Sequence, residues 1–126
     1  MVNTDLLFLV EKFVAAWNAH DIDALMECMS SDDCVFYASA GSGARGDAFI
    51  GFDEVKKSYE AVFQKFPDGK WNNAKHFISG NRGLSEWLFT GTTADGAKSI
   101  VHGIDVYEFA NGKIKVKDSY RKQLVG

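Results

Sequence analysis

The sequence predicts an α+β fold, with three N-terminal helices packed on a curved antiparallel sheet around one pocket. Three observations predict it. Helical apolar spacing is confined to the first half of the chain, and strand-like segments fill the second. Two Asx-Gly pairs, Asp95-Gly96 and Asn111-Gly112, stand between those segments. A type I′ hairpin turn needs positive φ at both central residues, which Asx-Gly accommodates. Helices grouped ahead of an antiparallel run give an α+β architecture.

Leu6, Val10, Phe13 and Trp17 share one helical face, predicting a helix over residues 4–19 capped by Asn3 or Thr4. Asp21 caps a second helix, in which Ile22, Leu25, Met26 and Met29 share a face as far as Ser30. Residues 34–39 read as a strand and 40–46 as a glycine-bearing loop at the pocket rim. Val55, Tyr59, Val62 and Phe66 mark a third helix, ended by Pro67-Asp68-Gly69. Four strands follow at 71–79, 83–91, 98–109 and 113–122, each separated by a hairpin-length turn.

The chain has 126 residues, 46% hydrophobic and 25% charged, the composition of one globular domain spanning 1–126. A net charge of -3 gives no field that would gather nucleic acid. The Leu6–Val10 run is soon broken by Glu11 and Lys12, so neither a signal peptide nor a membrane span is expected and a cytoplasmic location is. Cys28 and Cys34 read as buried free thiols. His20, His76 and His102 lack metal-ligand spacing, and no cofactor is expected.

Two stretches, Lys12 to Leu25 (KFVAAWNAHDIDAL) and Gly103 to Ile114 (GIDVYEFANGKI), resemble the NTF2-like superfamily, in particular its SnoaL-like and ketosteroid-isomerase-like branches. The resemblance covers nearly the whole chain. It implies an NTF2-like cone, a small-molecule ligand and a homodimer formed through the sheet. It also implies isomerase-, cyclase- or lyase-type chemistry, although the superfamily includes non-catalytic members. Ketosteroid isomerases pair a helix tyrosine and a strand aspartate as oxyanion donors with a second aspartate as base. Here those positions resemble Phe13, Asp105, and Ala38 or Tyr37, so only the oxyanion aspartate is matched. Asp118 resembles a pocket aspartate of limonene-epoxide-hydrolase-like members, whose Arg-x-Asp pair has no match in Ser85 to Leu88.

Strict alternation puts Val101, Gly103, Asp105, Tyr107 and Phe109 on one strand face. It likewise groups Ile114, Val116, Asp118 and Tyr120 on the next strand, leaving Lys113, Lys115, Lys117 and Arg121 as a solvated basic stripe. Asp105 and Asp118 are thus candidate catalytic carboxylates among apolar neighbours, with His76 as proton shuttle. In this scheme a protonated Asp105 donates to an oxyanion and His76 or Asp118 accepts the proton. Trp17, Tyr59, Trp87, Tyr107 and Tyr120 shape the pocket. Only one of Glu86 and Trp87 can face it, and Leu84 and Leu88 place Glu86 inward unless a bulge intervenes. Two readings stay open: an acid–base enzyme acting on a small apolar carbonyl or hydroxyl compound, or a non-catalytic ligand-binding or dimeric interaction module.

Overall fold

In the computed structural model, which describes residues 3–123, the first apolar stripe lies inside as its spacing requires. Leu6, Val10, Phe13 and Trp17 on α1 (Asn3–Ala19) are all buried. Asp21 caps α2 (Ile22–Glu27), its carboxylate accepting from Ala24 N at 3.1 Å. This helix stops short of the predicted Ser30. There the chain lies beside the last strand, with Ser30 N donating to Ile114 O and Ile114 N to Cys28 O. Pairing with a strand satisfies those backbone groups in place of another helical turn.

Two short strands follow where one was predicted. Val35–Tyr37 (β1) and Ala48–Ile50 (β2) pair as an antiparallel hairpin, closed by Ala38 N to Asp47 O and Asp47 N to Ala40 O. Gly46 makes the loop possible, since its φ is 75° and a Cβ there would sit 1.9 Å from Ala38 O. Helix α3 (Phe52–Lys65) buries Val55 and Tyr59, and four long strands complete the chain: β3 (Lys70–Ser79), β4 (Arg82–Thr92), β5 (Lys98–Ala110) and β6 (Lys113–Arg121).

The strands form one curved, unclosed sheet in the order β2-β1-β6-β5-β4-β3, antiparallel throughout except that β1 runs parallel to β6. The β5–β6 turn has the expected form, with Asn111 and Gly112 at φ 51° and 74°. At the β4–β5 turn only Gly96 has positive φ. That loop is wider, closed by Thr93 N to Ala97 O and by the Thr93 hydroxyl on Asp95. Cys28 and Cys34 are buried and free. No helix among the described residues is long and apolar enough to cross a membrane.

One irregularity positions the site. Between β5 and β6, Phe109 pairs with Ile114 and Glu108 with Val116, so Lys115 is an extra residue with no partner. Such a bulge reverses the inward and outward alternation beyond it. Ile114 faces the core before it, while Lys117 and Ser119 are buried after it.

Candidate functional site

A cavity of about 370 Å³ opens between α1, α3, the β1–β2 hairpin and the sheet. Its walls include Trp17, Phe36, Phe66, Trp71 and Trp87; Ala38, Ser39, Ala40 and Asp47 contribute the hairpin side. Of the predicted rim loop 40–46 only Ala40 lines the cavity, beside Ala38, Ser39 and Asp47.

Asp105 stands in the cavity wall and is 3% exposed. Its position follows from β5 alternation, which buries Val101, Asp105, Tyr107 and Phe109 as expected. Ser119, directly opposite on β6, donates its hydroxyl to Oδ1 at 2.6 Å. The Trp87 indole N–H donates to Oδ2 at 3.1 Å. Lys117 Nζ lies 3.5 Å from Oδ1 and donates to Ser119 Oγ at 3.1 Å. Asp105 therefore meets two donors and an ammonium, the partners of an acceptor-only carboxylate.

Lys117 was expected in the solvated stripe, and the bulge at Lys115 brings it inside instead. Its ammonium sits 4.3 Å from the Phe36 ring centre, 5.0 Å from Trp17 and 5.2 Å from Tyr59. Phe36 is its cross-strand partner on β1. Burial pushes the Lys117 pKa down, and the Asp105 carboxylate works against that shift. Arg121 is carried inside by the same reversal, its guanidinium 4.7 Å from Phe89 and 5.1 Å from Trp87. Burial lowers its pKa too.

The same bulge overturns the inward placement of Asp118 and Tyr120. Asp118 points to the outer face, where Arg45 approaches at 3.4 Å and the Tyr120 hydroxyl donates at 3.2 Å. Tyr120 is 55% exposed. The Glu86 expectation is overturned as well: Glu86 is exposed on the outer face and Trp87 is 2% exposed inside. The inward indole finds Asp105 as its acceptor.

His76 does turn inward, yet it does not reach the cavity with Asp105. Its Nδ1 lies 2.7 Å from Ser85 Oγ, which also accepts from the Tyr107 hydroxyl at 2.9 Å. Burial lowers the His76 pKa, against the charge of Glu11. Tyr59 and Tyr107 are fully buried core residues and line no part of the cavity. Of the predicted site residues, the structure brings Asp105, Trp17 and Trp87 together and leaves Asp118, His76, Glu86, Tyr59, Tyr107 and Tyr120 elsewhere. Lys117, Ser119 and Arg121 were missed. Gly103 was the one available signal, because a glycine inside a strand marks a close approach.

At the position matching the ketosteroid isomerase base, Ala38 lines the cavity and Tyr37 stacks outside against Arg45 at 4.1 Å. No carboxylate stands there. Among curated proteins nothing matches the chain. Among solved structures, a candidate polyketide cyclase from Pseudomonas putida KT2440 superposes with a TM-score of 0.80 at 20% identity, covering 92% of this chain and 90% of that one. An NTF2-like protein of unknown function from Mesorhizobium loti gives 0.78 at 21% identity, covering 95% and 93%. A candidate isomerase from Bacillus subtilis gives 0.79 at 15%, covering 94% and 87%. At these identities the likeness establishes the NTF2-like fold. Residues 10–116 match the SnoaL-like domain, and the chain belongs to that family.

Proposed function

We propose that the chain is a cofactor-independent acid–base enzyme of isomerase or cyclase type, acting on a small, largely apolar carbonyl compound. The supporting observation is the Asp105–Lys117–Ser119 cluster in the wall of an aromatic-lined cavity. Asp105 has lone pairs free beyond its present bonds and would take a proton from the carbon next to the carbonyl. Lys117 would hold the negative charge that then develops on the carbonyl oxygen, while the Ser119 hydroxyl stays on Asp105. The neighbours described as a candidate cyclase and a candidate isomerase agree in reaction type.

The test is exchange of α-hydrogens in D2O, followed by proton NMR, for aryl ketones such as 2-tetralone and for aryl keto acids. Wild-type protein should accelerate exchange, and Asp105→Asn should lower the rate about 100-fold or more. Equal exchange by wild type and Asp105→Asn across the set would reject the reading.

A second reading, a non-catalytic binding module, is favoured by the hydrogen bonds that already hold Asp105 to Ser119 and Trp87. It predicts ligand binding with no exchange. We also propose a homodimer through the outer sheet face, supported by Phe77, Ile100 and Tyr120, which are 62%, 60% and 55% exposed. Light scattering should return twice the chain mass, and Ile100→Glu should halve it. A wild-type monomer at high concentration would rule the dimer out.

A further inference from the structure

The two cations inside the cavity differ in their partners. Lys117 has Asp105 as counter-ion. Arg121 has no carboxylate within 4 Å and no side-chain hydrogen bond among the described residues, although it lines the same cavity and covers the rings of Trp87 and Phe89. A guanidinium carries five N–H donors in a planar fork suited to a carboxylate. The remaining charges of the lining, Asp47 and Lys65, are exposed and of opposite sign. The cavity therefore carries one uncompensated positive charge.

What the lining lacks is one negative charge. The indole N–H of Trp17 is buried without a partner among the described residues, but it is sealed behind the wall and adds no donor for a ligand.

We infer that the cavity binds a small planar monocarboxylate, its carboxylate on the Arg121 guanidinium and its apolar body against Trp17, Trp71 and Trp87. One unpaired cation matches a single negative charge, whereas a phosphate dianion would leave one of its two charges without a counter-ion. This rests on the cavity being a ligand site, as proposed above, and deepens that reading by naming the substrate class. It does not depend on turnover.

Calorimetric titration with trans-cinnamate and with its neutral amide, cinnamamide, tests it. Wild type should bind the acid about tenfold or more tightly than the amide, the range of a charge-assisted hydrogen bond. Arg121→Gln should bring the acid down to the affinity of the amide and leave the amide unchanged. Arg121→Lys, which keeps the charge without the fork, should retain part of the preference, and circular dichroism should show both variants folded. Equal affinity for acid and amide, binding of neither, a preference that survives in Arg121→Gln, or displacement by inorganic phosphate at equal concentration would each overturn the proposal. Loss of α-hydrogen exchange in Asp105→Asn tests the reaction and loss of the acid preference in Arg121→Gln tests the binding, so the two readings can fail separately.

Discussion

The Trp87 ring lies across Gly103, its cross-strand partner, so closely that a Cβ on Gly103 would stand 2.5 Å from Trp87 Cη2 and 2.7 Å from Cζ3. The absence of a side chain lets the indole reach over β5 to Asp105 and lets Arg121, the partner of Gly103 on the other side, cover the ring. One glycine thus joins the hydrogen bond to the carboxylate with the seat of the guanidinium.

Gly103→Ala should therefore displace Trp87 and cost about 1–3 kcal/mol, the usual range for overpacking. Urea denaturation measures the loss, and cinnamate affinity should fall with it. Unchanged stability together with unchanged affinity would show that the ring moves aside freely.

Lys117 and Asp105 should behave as one unit. Removing either partner of a buried pair leaves the other uncompensated, so Lys117→Met alone should cost about 3–5 kcal/mol. Adding Asp105→Asn should recover much of that loss. A double-mutant cycle by denaturation reads the coupling, and additive losses would mean that the two groups do not depend on each other.

Stability should decline in alkali. Burial holds the Tyr59 and Tyr107 hydroxyls well above the ordinary phenol value, with the Asp105 charge adding to the shift. The folded state keeps two protons that the unfolded chain sheds near pH 10, so their contribution is full below about pH 10 and is lost as pH rises. Buried Cys28 and Cys34, also raised, act in the same direction from about pH 8.5. Lys117 and Arg121, both lowered by burial, act oppositely, and Lys117 ceases to gain once the unfolded lysine titrates near pH 10.4. Beyond that point the tyrosines should dominate. Tyr107→Phe should reduce the downward slope by about 1.4 kcal/mol per pH unit, measured by denaturation at stepped pH, and an unaltered slope would count against the assignment.

Asp118→Asn should be mild. Its partner Arg45 is exposed and the pair lies outside the cavity, so the loss should stay within about 1 kcal/mol, with α-hydrogen exchange and cinnamate binding unaltered. A marked drop in either activity would return Asp118 to the site.

The sequence by itself determined the helices, the long strands, the inward face of β5 and, through it, Asp105. Those features depend on short-range periodicity and on turn chemistry, which each segment carries within itself. The tertiary structure decided which side of β6 faces inward. Alternation from Ile114 points to Asp118 and Tyr120, and nothing within the Lys113–Arg121 stretch marks Lys115 as the extra residue. Its place is set by the register of β5 on one side and by Val35–Tyr37 on the other. The β1–β2 hairpin escaped for a related reason, since three-residue strands are stabilised by their neighbours more than by their own composition. The choice between Glu86 and Trp87 also waited on a partner from another strand, Asp105, which gives the indole its acceptor. The carboxylate was legible because it lies on a regular strand, and the cations that complete the site were not, because one unpaired residue reverses everything after it.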